Sequence, residues 1–63
     1  MLSLDNYEHM DVNMLLSFVN TLLRDEFHSL EDLCRSYDLD REVLEKRLAD
    51  AGFTYVGSLN QFR

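Results

Sequence analysis

The side chains that could support metal or covalent chemistry are few in this 63-residue sequence. The soft metal ligands are Cys34, His9 and His28, and no CxxC or HxxxH spacing joins them. Zinc sites usually show such spacing, because neighbouring ligands must converge on one ion. Histidines without such partners are typically exposed or locally hydrogen bonded, so we expect no metal site.

Cys34 is also the one residue that could act as a thiol nucleophile. It lies among apolar residues at helical spacing, and apolar surroundings favour the neutral thiol over the reactive thiolate. The carboxylates of Asp25, Glu26, Glu31 and Asp32 are adjacent in pairs, and adjacent residues of a helix point apart. The two glycines are too isolated to form a phosphate-binding loop. We therefore expect no catalysis, no cofactor and no small-molecule ligand.

The charge balance argues against a nucleic-acid partner. Six Lys and Arg residues stand against twelve Asp and Glu residues, giving a net charge of −6. Phosphate contacts from basic side chains supply nearly all non-specific affinity for nucleic acid. If the chain does bind nucleic acid, the expected contacts are these four: Arg41, Lys46, Arg47 and Arg63.

The elements that must position these side chains centre on residues 29–52, whose pattern predicts a helix-turn-helix. Ser29 and Asp40 are natural N-caps, Gly52 is a natural helix stop, and Asp38 is expected in the left-handed conformation at the turn. Leu39 is expected to fill the corner between the two helices. The apolar residues at helical spacing are Leu30, Leu33, Cys34 and Tyr37 in the first helix, and Val43, Leu44, Leu48 and Ala51 in the second.

A longer helix is predicted ahead of this pair, capped by Asp11 and running from Val12 to about Arg24. Its apolar residues fill an arc of roughly 200°, wider than the stripe of about 100° that one core requires. The polar face comprises Asn13, Ser17, Asn20 and Arg24. An N-terminal arm, the C-terminal tail or a second copy of the protein could cover the surplus. The residues of a self-association seam would be Met14, Phe18 and Leu22.

The ends of the chain complete a single mainly α domain over residues 1–63. Residues 1–10 are expected to form an arm, and residues 11–52 a three-helix bundle. Residues 53–63 would form a small hairpin that pairs roughly 54–56 with 60–62, or else an irregular tail. The single cysteine and the lack of a signal peptide or membrane-spanning segment favour a soluble cytoplasmic protein.

Several segments resemble a family of small bacterial proteins known as a domain of unknown function. These are MLLSFVNTLLRD at residues 14–25, SLEDLC at 29–34, AGFTY at 51–55 and NQF at 60–62. The similarity covers residues 11–62, with NxLLSFVNxxLRD and NQF as the distinctive elements. This sequence departs from the family pattern at Val12, where Pro is usual, and at Leu22, where Lys is favoured. The resemblance implies a cytoplasmic helical domain and supplies no activity or functional residues.

These features favour a non-catalytic protein-interaction or self-association module, with a protein partner or a homodimer and no membrane or nucleic-acid partner. The alternative is a helix-turn-helix DNA-binding or transcription-accessory protein. The over-wide apolar arc of the first helix supports the first function, whereas the helix-turn-helix spacing supports the second.

Overall fold

The structure, a computed structural model, describes residue 7 and residues 9–63. Three α-helices, α1 (Val12–Asp25), α2 (Leu30–Tyr37) and α3 (Arg41–Ala49), are followed by strands β1 (Tyr55–Val56) and β2 (Gln61–Phe62). The prediction of a mainly α fold with a short C-terminal hairpin is confirmed. Most of the predicted N-terminal arm, residues 1–6 and 8, lies outside the described residues.

Each helix begins at a side chain that accepts hydrogen bonds from otherwise unpaired backbone N–H groups. The Asp11 carboxylate accepts from the N–H groups of Asn13 and Met14, at 3.1 and 3.2 Å. Ser29 and Asp40 cap α2 and α3 in the same way. All three predicted N-caps are therefore confirmed.

The turn between α2 and α3 has the predicted left-handed residue. Asp38 has φ 56° and ψ 46°, and the next N–H, from Leu39, donates to the Cys34 carbonyl at 2.8 Å. After α3, Gly52 has φ 92°, a conformation that glycine adopts without the steric cost of a Cβ. The Phe53 N–H then donates to the Leu48 carbonyl at 2.9 Å, which closes the end of the helix.

The core lies where α1 crosses the helix-turn-helix pair and the hairpin covers one end. Its buried residues are Tyr7, Leu15, Val19, Leu22, Leu23, Leu30, Leu33, Cys34, Leu44, Leu48 and Phe62. The prediction that Val43 and Ala51 point inward is wrong, because both are exposed. Leu44 and Leu48 are one turn apart and fill the contact of α3 with the core, whereas Val43 lies about 100° round the helix from Leu44 and about 140° from Leu48.

The hairpin is antiparallel, with Tyr55 opposite Phe62 and Val56 opposite Gln61. Thr54 and Arg63 extend it by exchanging two N–H···O bonds of 2.9 Å. The register is shifted by one residue from the predicted pairing. The connection has four residues because Asn60, at φ 52°, belongs to the turn rather than to the strand.

Candidate interaction surface

The hairpin is attached to α1 through the side chain of Asn20. Its Oδ1 accepts from the Phe62 N–H at 2.8 Å, and its Nδ2 donates to the Phe62 carbonyl at 3.1 Å. Asn20 thus satisfies the outward-facing backbone groups of β2 as a third strand would. Asn20 belongs to the predicted polar face of α1, and its side chain also joins two elements.

Asn60 joins the hairpin turn to both ends of the α1–α2 connection. Its Nδ2 donates to the carbonyls of Leu23 and Phe27, each at 2.9 Å. Its Oδ1 accepts from the Tyr55 hydroxyl at 2.7 Å, and that hydroxyl in turn accepts from the Leu30 N–H at 3.3 Å. One network therefore pairs backbone groups at the end of α1 and at the start of α2 that those helices leave open.

The docked hairpin and the helix pair cover much of the apolar arc of α1. Leu22, predicted as part of a self-association seam, is 7 % exposed and belongs to the core of the single chain. Leu23 is buried beside it. Of the three predicted seam residues, Met14 and Phe18 therefore remain to form an outward surface.

The outward surface of α1 is a shallow groove that we name the α1 stripe. It is formed by Asn13, Met14, Ser17, Phe18 and Thr21. Met14 is 47 % exposed and Phe18 is half-buried. Thr21 also borders a second depression, between α1 and the hairpin, whose rim carries the exposed side chain of Leu59. None of the five stripe residues is charged.

The four residues predicted to contact nucleic acid differ in their surroundings. Arg41 donates to Glu45 at 2.6 Å and lies 5.9 Å from the centre of the Tyr55 ring. The hydrogen bond to Glu45 raises the pKa of the Arg41 guanidinium. Arg47 donates to the Met10 carbonyl, tying α3 to the segment before α1. Lys46 and Arg63 are exposed, and on α3 Arg41 and Lys46 lie about 140° apart around the axis.

The residues considered for chemistry lie in different environments. Cys34 is 5 % exposed, and burial raises the pKa of its thiol. His9 and His28 are both exposed. Within residues 7 and 9–63, no three side chains of His, Cys, Asp or Glu are arranged to hold a metal ion. In the same part of the chain, no helix combines the length and apolar character needed to cross a membrane.

The roles of Asn20 and Asn60 were missed by reasoning from the sequence. A helical projection offers one signal for Asn20, which lies next to Leu16 at the border of the apolar arc. A tight turn is a common place for an asparagine with positive φ, which is a signal for Asn60. Neither signal identifies the partner atoms.

Comparison with known proteins places the chain in a family. No protein with a curated description and no solved structure matches it. One family model matches residues 9–62, nearly the whole chain. The matched residues include Asn20 and Asn60, which hold the hairpin on α1. The chain belongs to the family described as a domain of unknown function (DUF4250).

Proposed function

We propose that the protein is a non-catalytic self-association module that binds a second copy of itself through the α1 stripe. The observation that carries this proposal is the pair of large apolar side chains, Met14 and Phe18, left partly in water on the outer side of α1. Taking a Met or Phe side chain from full exposure to full burial contributes about 1.5–3 kcal/mol, and a contact that completes the burial of these partly exposed side chains contributes part of that. A symmetric pair would bury four of them, two from each copy.

The distribution of charge supports a second copy as the occupant. A chain of net charge −6 repels another copy unless the acidic surfaces stay apart. The stripe is uncharged, and Leu15 and Val19 are buried on the far side of α1. The exposed acidic residues of the helix pair and its turn are Glu31, Asp32, Asp38, Asp40 and Glu42.

The molecule is wide enough for salt to screen repulsion between the acidic surfaces of two copies. Its principal extents are 27, 24 and 19 Å. Salt screens exposed charges over about 8 Å at physiological ionic strength. In two copies joined through α1, acidic groups on the sides of the two molecules away from the contact would therefore repel each other only weakly.

The sedimentation of the protein over a range of concentrations tests the proposal. We expect the mass to rise toward that of a dimer and the melting temperature to increase with concentration. Met14→Glu should give a folded monomer, because it places a charge in the contact. Phe18→Glu should do the same. If Phe18→Glu fails to fold because Phe18 is half-buried, the Met14→Glu variant still tests the contact.

Val43→Glu is the matched control, since Val43 is an exposed apolar residue on a different helix. It should leave the dimer intact. A wild-type protein that remains a monomer at millimolar concentration would overturn the proposal.

The alternative function, duplex DNA binding, is favoured by the geometry of the helix-turn-helix turn at Asp38. The state of the basic side chains argues against DNA binding, because Arg41 is hydrogen bonded to Glu45 and Arg47 to the Met10 carbonyl. We therefore place self-association first.

A further inference from the structure

We infer that the two copies pair with their α1 helices antiparallel, and that the two-fold axis passes between Ser17 and Phe18. This inference rests on the proposed function and adds the orientation and register of the second copy. A two-fold contact is made by the same patch on both copies, so the patch must be complementary to itself. The α1 stripe is complementary to itself when the two α1 helices are aligned about an axis between Ser17 and Phe18.

Large and small side chains alternate along the stripe. Met14 and Phe18 are its large residues, and Ser17 and Thr21 are its small ones. With the axis between positions 17 and 18, Met14 of each copy lies level with Thr21 of the other. A long side chain then faces a short one at both ends of the contact, which is the complementarity that close packing requires.

At the centre of the contact, each residue meets its own counterpart. Ser17 and Phe18 project to opposite sides of the stripe's midline, and the two-fold axis keeps each of them on its own side. Phe18 therefore packs on Phe18 along one flank, and Ser17 lies against Ser17 along the other. The rise of about 1.5 Å per residue places each of these pairs nearly level.

A parallel pair fits the same residues less well. It would set Thr21 against Thr21, which leaves a gap between two small side chains. It would also set Met14 against Met14, which crowds two large ones. It would also bring together the two N-termini of α1, each carrying the exposed Asp11 carboxylate. The antiparallel pair holds these carboxylates about 20 Å apart. It sets each of them level with the Arg24–Asp25 ion pair of the other copy, whose net charge is zero.

Single cysteines in the stripe report the register directly. Disulfides require Cα atoms about 4.4–6.8 Å apart. In the antiparallel pair, Ser17→Cys meets its counterpart, whereas Thr21→Cys lies about 10 Å along the axis from its own. We therefore expect mild oxidation to crosslink most of the Ser17→Cys protein and little of the Thr21→Cys protein. The double variant Met14→Cys/Thr21→Cys should crosslink, because those two positions face each other.

The wild-type chain is the control, since Cys34 is buried and should not crosslink. Efficient crosslinking of Thr21→Cys alone would indicate a parallel pair and overturn this inference, leaving self-association in place. A dimer in sedimentation without any crosslink would also overturn it, because the contact would then lie elsewhere. A monomer in sedimentation without crosslinks would instead overturn the proposed function.

Discussion

Single asparagine side chains supply hydrogen bonds that the short strands of this protein cannot supply themselves. Asn20 pairs with both backbone groups of Phe62, and Asn60 pairs with two carbonyls near the end of α1. A hairpin with two residues in each strand is marginal by itself. The two asparagines compensate for this by fastening it to the helices.

Asn60 lends itself to a substitution series that separates hydrogen bonding from backbone strain. Asn60→Gly keeps access to φ 52° and removes the side-chain bonds, so we expect a loss of about 1–3 kcal/mol in the free energy of unfolding. Asn60→Ala should lose about 1–2 kcal/mol more, because its Cβ is strained at positive φ. Urea unfolding measures both. A glycine variant as stable as the wild type would contradict a stabilising role for the network.

Cys34 provides a pH-dependent prediction at the same scale. Burial raises the pKa of its thiol in the folded protein, while the unfolded chain ionises near the ordinary value of about 8.5. The thiol therefore stays protonated to a higher pH in the folded protein than in the unfolded chain. Its contribution to stability is lost as the pH rises from the unfolded pKa through the folded pKa.

Cys34→Ala is the control for the other groups that titrate in the same range. We expect the stability advantage of the wild type over Cys34→Ala to shrink between about pH 8 and pH 10. Urea unfolding of both proteins across this range provides the measurement. An advantage that grows with pH would show that the folded protein stabilises the thiolate.

At the scale of elements, the turn between α2 and α3 decides how the two helices meet. Asp38 holds the left-handed conformation, and Leu39 packs against the core immediately after it. The turn thereby sets the rotation of α3 about its axis. That rotation buries Leu44 and Leu48 and leaves Val43 exposed.

Substitutions at position 38 test this turn. Asp38→Gly should be neutral or stabilising, because glycine adopts positive φ freely. Asp38→Val should lower the stability by about 1–2 kcal/mol, because a β-branched side chain is strained there. Thermal unfolding compares them. Equal melting temperatures for the two variants would mean that residue 38 does not hold the left-handed conformation in solution.

At the scale of the whole molecule, charge determines which partners can approach. The helix-turn-helix resembles a DNA reader in its spacing, but its second helix carries Glu42 and Glu45 beside its cations. Arg41 is paired with Glu45, and Arg47 is half-buried against the segment before α1. Little unpaired positive charge remains on α3 to neutralise phosphates.

We expect no measurable binding to random-sequence duplex DNA at physiological salt. Phosphate neutralisation gives even non-specific binders dissociation constants of only about 10⁻⁴–10⁻⁶ M. Fluorescence anisotropy with labelled duplex at low and physiological salt tests the expectation. Micromolar binding that weakens steeply with salt, and is lost in Lys46→Ala, would instead support the DNA-binding alternative.

The sequence by itself determined the features that depend on neighbouring residues. Helix caps act over two or three residues, so Asp11, Ser29 and Asp40 could be identified without a structure. The left-handed turn at Asp38 follows from the same local chemistry. The apolar spacing of α1 likewise predicted a helix with more apolar surface than one core needs.

Only the tertiary structure decided which part of that surface is covered. Asn20 and Phe62 are 42 residues apart in the chain, and Asn60 and Leu23 are 37 apart. No local pattern encodes such partners, because they meet only when the hairpin packs on α1. That packing, together with the helix pair, buries Leu22 and leaves Met14 exposed, although both belong to the same apolar arc. The candidate surface is therefore a property of the folded chain, because it is the part of α1 that the hairpin and the helix pair leave uncovered.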